Sequence, residues 1–329
     1  MGIMDCSKND DVKGNIRTIA QLLLDRRAGF LFGAGMSFES GAMTGSGLAA
    51  SMLTAFLASK GVDTADAGNL AEKFPFEAIV EAYEGSLPDP LPDMRRYLDA
   101  AFGELKPHAG HKALAELACN IDRIYTTNFD SLIEDAFDGR ADAIHAGNEN
   151  ELLDVPEDVM PVIHLHGVLG SGKRVMNEST VYADASNRLF KEFERDLSWK
   201  VFIMVGYSML DPHIRAMYFR VRELVRKADQ GEKKTYIVSP VSSKAELELA
   251  KRIWANRSAE LVPLPATTFF EMLLSRVDSL KKEKRKAELT KRIDGSGVDY
   301  DKAAARLKKY AGVTDEDVAA ILERTATED

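Results

Sequence analysis

Short apolar runs alternate along the chain with longer amphipathic stretches, and that alternation predicts most of its elements. The run over 29–33, centred on Phe30-Leu31-Phe32, reads as a buried strand. Before it, Ile16, Ile19, Ala20, Leu23 and Leu24 recur at helical spacing, with Asn9 or Asp10 placed to cap the helix. Helical spacing returns from Leu48 to about Leu57. The stretch 65–118 has no strand signal and is broken by Pro75, Pro88, Pro90, Pro92 and Pro107, so it reads as several short helices. Strand-like runs follow at 121–126, 161–165, 201–205, 235–239 and 259–264. Helical patterns occupy 131–137, 186–199, 212–228, 242–255 and 267–280. Val201–Val205 is apolar at every position, as expected of a central strand covered on both faces. Strands alternating with helices imply a parallel sheet with right-handed crossovers. The expected fold is α/β, a Rossmann-like doubly wound parallel sheet with a helical insertion subdomain over about 60–118 and a helical C-terminal tail.

The tail begins where the pattern changes, after Leu280. Residues 281–293 are dominated by Lys and Arg, Gly295-Ser296-Gly297 reads as a hinge, and short helices are expected over about 299–310 and 315–325. We read 1–280 as one domain and 281–329 as a charged tail for oligomerisation or partner docking. A basic run is most often a solvated helix face. The segment 168–185, with Gly170, Ser171, Gly172 and Lys173, reads as a hairpin-like or irregular excursion.

Composition narrows the function classes. The net charge of −9 opposes a general nucleic-acid coat, which needs clustered positive charge, so direct nucleic-acid binding is not expected. The two cysteines, Cys6 and Cys119, build neither a disulfide framework nor a four-cysteine zinc site within one chain. That usage fits a reducing cytosol. No apolar run approaches the roughly 20 residues of a membrane span. The N-terminal residues lack the charged-then-apolar layout of a signal peptide, and Cys6 stands where a myristoylation signal has Ser or Thr. A cytoplasmic protein without a membrane partner is expected.

Candidate chemistry gathers at the ends of the predicted strands. Gly33-Ala34-Gly35 follows the first strand, with Ser37 two residues on. Glycines there permit a sharp turn, and free N–H groups at the mouth of a following helix can cradle a pyrophosphate. A plain tight turn has the same signature. Thr127-Asn128-Phe129-Asp130 ends the second strand, where open α/β sheets place ligands; Asn128 and Asp130 equally suit a turn and a helix cap. His164-Leu165-His166-Gly167 ends the next, with both histidines pointing to one face by strand alternation. Only His166 sits at the strand end. Gly206-Tyr207-Ser208 ends the most apolar strand, and Asp211-Pro212 then starts a helix in the ordinary cap arrangement. His108 and His111 read as surface residues near a helix N-terminus, not as metal ligands, since no carboxylate or cysteine matches their spacing.

In this order, the four motifs resemble the sirtuin family, and more narrowly the sirtuin-like NADase domains of bacterial anti-phage defence proteins, over about residues 15–280. The resemblance implies that Gly33, Ala34, Gly35 and Ser37 cradle the pyrophosphate of NAD+. It places Asn128 and Asp130 beside the nicotinamide ribose, counts Thr127 among the NAD+-binding residues, makes His166 the ribose-facing histidine, and puts Gly206 and Ser208 on the adenosine side. Asp211 matches an acidic residue that often follows Gly-Tyr-Ser in the defence-type members. Deacylases of the family carry a four-cysteine zinc module, for which this chain lacks the cysteines, so no zinc is expected. Gly41-Ala42-Met43-Thr44 also lacks the proline and arginine of the deacylase loop, and Ser239-Pro240 stands where an adenosine-reading Asn is usual.

The implied activity is NAD+ glycohydrolysis to nicotinamide and ADP-ribose, with Asn128, His166 and Asp130 catalytic and NAD+ the substrate. The relatives imply a regulated, NAD-depleting effector working as a homo-oligomer, with a partner such as a translocase-like ATPase or an Argonaute-like protein. Two other readings stay open: an NAD-dependent deacylase or ADP-ribosyltransferase, and a nucleotide-sensing module without turnover.

Overall fold

All five residues of β1 (Ala28–Phe32) and all five of β5 (Val201–Val205) are buried, which is what their unbroken apolar character requires. In the computed structural model, which describes residues 2–169, 188–227, 234–294 and the isolated positions 302, 305 and 318, they lie side by side at the centre of a seven-stranded sheet. The other strands are β2 (Ile124–Thr126), β3 (Ala141–Ile144), β4 (Met160–His164), β6 (Thr235–Val238) and β7 (Ala259–Val262). Their order is β3-β4-β2-β1-β5-β6-β7, and every neighbouring pair is parallel. The chain builds outward from β1 on one side through β2, β4 and β3, then returns to β1's other edge with β5. The point where strand order reverses therefore lies between β1 and β5, where doubly wound sheets open a crevice at their C-terminal ends.

The helices follow the expected periodicity. They are α1 (Asp10–Leu24), α2 (Ala34–Ser37), α3 (Gly45–Ser59), α4 (Ala67–Lys73), α5 (Phe76–Glu84), α6 (Pro90–Phe102) and α7 (Ala109–Glu116) before β2. After it come α8 (Leu132–Ala136), α9 (Arg188–Trp199), α10 (Pro212–Lys227), α11 (Lys244–Ala255) and α12 (Ala266–Asp294). Asn9 caps α1 by accepting from the Asp11 N–H at 2.8 Å, which settles the choice between Asn9 and Asp10. The insertion α3–α6 has its own apolar core, including Met52, Ile79, Val80, Met94 and Leu98. Phe129, from the loop after β2, is part of that core and lies 6.5 Å from the Phe76 ring. This ties the insertion to the strand ends.

Two differences from the sequence reading have plain causes. β3 was not expected: Ala141-Asp142-Ala143-Ile144 has one large apolar residue, and as an edge strand only its Ile144 is buried. α12 does not stop at 280 but runs to Asp294, because a Lys/Arg/Glu-rich sequence is a good helix former without an apolar stripe. The chain divides into two units, Met1–Leu274 and Ser275–Asp329, so α12 belongs to both. Most of the 168–185 excursion, the Gly295–Gly297 hinge and the two expected tail helices lie outside the described residues. No single helix among the described residues is long and apolar enough to cross a membrane.

Candidate functional site

At the strand-order reversal two glycine turns meet backbone to backbone. Gly33 N–H donates to the Val205 carbonyl at 3.0 Å, Gly35 N–H to Gly206 O at 2.9 Å, and Met36 N–H to Gly33 O at 2.8 Å. A Cβ on Gly35 would lie 2.6 Å from Gly206 Cα, and one on Gly206 would lie 2.2 Å from Met36 N. Gly206 also has φ +62°, in the left-handed region that favours glycine. The glycines are thus required by close packing of β1's turn on β5's turn. The expected row of free amides does not form: those of Gly33, Gly35 and Met36 are used inside the protein, and α2 is only four residues long. What the turn offers a ligand is the partly exposed face of Ala34 and Gly35.

β2 ends beside this turn. Thr127 holds the end of β1, its N–H and Oγ1 both reaching the Phe32 carbonyl, at 3.0 and 3.3 Å. Asn128 donates from Nδ2 to Ser37 Oγ at 3.0 Å, and the Ser37 hydroxyl donates on to Asp130. Asp130 Oδ1 also accepts from the Leu132 N–H at 3.2 Å, opening α8. Phe129 turns away into the insertion core, so the residues on either side of it face Ser37. Burial pushes the Asp130 carboxyl above its ordinary value, with the nearby Glu134 charge adding to it, while the hydrogen bonds from Ser37 and Leu132 and the charge of His164 oppose the rise.

The two histidines of β4 have different partners. His164 is fully buried, with Nδ1 2.9 Å from the Asn128 carbonyl and Nε2 2.6 Å from Glu134 Oε1. Burial alone would push its pKa down, but Glu134, the Asn128 carbonyl and Asp130 together raise it. With an acceptor against each nitrogen, both carry protons. His164 therefore fixes the carbonyl of Asn128 from below. His166 instead meets Asp211, Nε2 lying 2.7 Å from Oδ2. The pair falls outside hydrogen-bond geometry, so it is a close contact between the ring and the carboxylate.

That pair spans the site. β4 and β5 are separated by β2 and β1, three strand spacings or roughly 14 Å. Their loops nevertheless converge over the C-terminal ends of β1 and β2, and the β4 loop is further tied to β2 by the Leu169 N–H donating to Phe129 O at 2.9 Å. The β5 loop bends through Gly206 and through Met209, a buried residue at φ +56°. Beside Asp211 the Tyr207 side chain is buried with a hydroxyl that has no hydrogen-bond partner among the described residues. Burial, then the Asp211 and Glu77 charges, push that phenol well above its ordinary pKa.

His111 is not a surface residue, and His108, the N-cap of α7, is only partly exposed. His108 Nδ1 accepts from the Gly110 N–H at 2.9 Å and lies 2.9 Å from Thr267 Oγ1. Its Nε2 therefore carries the proton and donates to Met36 O at 2.7 Å, steadying β1's turn from α7 and α12. His111 is fully buried, and desolvation, then repulsion from His108, push its pKa down to about 3. Their apolar neighbours in α7 masked this in the sequence. No group of three His, Cys, Asp or Glu side chains among the described residues is arranged to hold a metal ion.

Residues 122–262, which contain β2 to β7 and three of the four strand-end motifs, match the family model of the SIR2-like domain. Over these residues the chain is similar to a SIR2-like domain. Among solved structures it is similar to a Sir2 enzyme described for its mechanism and regulation, at 15% identity over 82% of this chain and 99% of that one, with TM-score 0.42. It is also similar to Sir2Af2 bound to a myristoylated histone peptide, at 15% identity, 82% and 99% coverage and TM-score 0.43. A Sir2 homologue variant in complex with ADP-ribose gives 16% identity, 84% and 98% coverage and TM-score 0.45. No curated protein sequence matches.

At the C-terminal ends of four strands, the geometry packs Gly33 and Gly35 on Gly206, joins Ser37 to Asn128 and Asp130, holds Thr127 on the end of β1, and sets His166 against Asp211, with Ala34 partly exposed on the first turn. Ser208 lies exposed on the β5 loop. The sequence reading passed over Glu134 and Tyr207. It did not pair His166 with Asp211, since partners on separate loops leave no spacing to read.

Proposed function

We propose that the SIR2-like domain binds NAD+ and hydrolyses its N-glycosidic bond to nicotinamide and ADP-ribose. The observation that supports this best is the hydrogen-bonded group of Ser37, Asn128 and Asp130 beside the Gly33–Gly206 turn, with His166 at the end of β4, the strand next to β2. Cleavage of the bond to nicotinamide passes through an oxocarbenium-like state, so the site must exclude bulk water, place one water and tolerate developing positive charge. One N–H of the Asn128 amide is bound to Ser37, which fixes the plane of the group. Its remaining N–H and Oδ1 can orient a water or a ribose hydroxyl. His166 accepts the proton of that water as its oxygen bonds to the anomeric carbon and the electrons of the broken C–N bond leave with nicotinamide. Asp130, held by Ser37 and Leu132, sets negative potential below the developing cation. Ala34 and Gly35 present the partly exposed backbone that the pyrophosphate would meet, with Ser208 towards adenosine. The resemblance to defence-type members extends the reading to a regulated NAD-depleting effector that assembles as a homo-oligomer with a sensing partner.

Purified full-length protein incubated with NAD+ distinguishes the readings when nicotinamide and ADP-ribose are quantified with and without an acylated peptide. We expect equal amounts of the two products without peptide. Turnover that requires the peptide would replace hydrolysis by deacylation, and binding without products would leave a sensing module.

A further inference from the structure

The contact between His166 and Asp211 carries an assignment beyond the residues that meet the substrate. Asp211 uses its two oxygens for two tasks. Oδ1 accepts from the His213 and Ile214 N–H groups, at 2.8 and 3.1 Å, and so caps α10. Oδ2 lies 2.7 Å from His166 Nε2, with both side chains about nine-tenths buried. A carboxylate oxygen and an imidazole lone pair at that distance repel each other, so Nε2 carries a proton whatever the angle between them. The only ring nitrogen left for a substrate proton is Nδ1. Burial pushes the Asp211 carboxyl up, but the His166 charge and the two backbone donors outweigh it and keep the group below its ordinary pKa. The carboxylate therefore stays charged and continues to demand the proton on Nε2.

We infer that Asp211 is the positioning residue of the site: through Oδ2 it fixes the tautomer of His166 and so makes Nδ1 the base. The inference rests on the NAD+-hydrolysis reading for its consequence in rate, though not for its consequence in proton position. α10, capped by the same side chain, becomes the rigid mount for the base. The left-handed Met209 and Gly206 bend the loop that carries Asp211 across β1 and β2 to reach it.

Asp211→Asn tests this directly. An Asn must keep its oxygen on the His213 and Ile214 N–H groups to cap α10, which turns its NH2 towards His166 Nε2. A donor there forces Nε2 to accept, and the proton moves to Nδ1. In the full chain, 15N chemical shifts of the neutral His166 ring should show the Nε2–H form in wild type and the Nδ1–H form in Asp211→Asn. Asp211→Ser keeps a competent cap without the carboxylate and should give a mixture of tautomers. On NAD+, Asp211→Asn should lower kcat by about 10⁴-fold, as a wrong tautomer does in the Ser-His-Asp triad, with KM within a few-fold and Tm nearly unchanged. An unaltered His166 tautomer in Asp211→Asn would overturn the assignment, as would wild-type kcat in that variant. Absence of NAD+ cleavage by the wild type would instead remove the proposed reaction, and the ring shifts would still decide the positioning role.

Discussion

Individual residues explain the site through what their neighbours force on them. His164 shows this best. Its raised pKa means that the folded state binds the His164 proton more tightly than the unfolded state does. The stability it contributes is complete below its ordinary value of 6.5 and is lost as pH rises through the higher folded value. The Tm gap between wild type and His164→Gln should accordingly be widest below about pH 6 and narrow in mildly alkaline buffer. A gap that widens with pH would reverse the assigned protonation. Gly206 gives a stability test of another kind. The Cβ of Gly206→Ala would press on Met36 N and on Gly35 at a positive φ, so we expect a loss of about 2–4 kcal/mol in chemical denaturation. A loss under about 0.5 kcal/mol would mean that the two turns are not packed as described. The glycines and Asn128, Asp130 and His166 were legible because each stands at the end of an apolar run. Glu134 and the burial of His111 were not, since both depend on packing between elements distant in sequence.

At the scale of elements, the apolar strands and amphipathic helices were readable wherever both faces or one clear stripe are buried. β3 escaped because an edge strand needs little apolar side chain, and α12 was cut short because helix propensity without a stripe leaves no periodic mark. The same helix supplies a test of the domain boundary. Phe269, Phe270 and Leu273 are fully buried, with Phe270 5.9 Å from the rings of both Phe30 and Phe32, so the first turns of α12 belong to the sheet's core. A chain ending at Leu280 keeps all three and should melt in a single cooperative transition, as followed by circular dichroism. A truncated chain with no cooperative transition would show that residues beyond 280 are part of the folding unit.

For the whole molecule, strand order decides where chemistry is possible. Reversal between β1 and β5 gathers loops from β1, β2, β4 and β5 at one edge of the sheet, and the insertion core reaches into that edge through Phe129. In the proposed reaction, function depends on a centre in which Ser37 holds Asn128 and Asp130 while Asp211 holds His166. The most direct measurement is single-turnover nicotinamide release at saturating NAD+ by wild type and Asn128→Ala. Removing one preorganised group of this kind commonly costs about 10²–10³ in rate. We predict a loss of that order with NAD+ affinity within a few-fold of wild type. Release within a few-fold of wild type at equal NAD+ occupancy would contradict the account and leave Asn128 a residue of the turn alone.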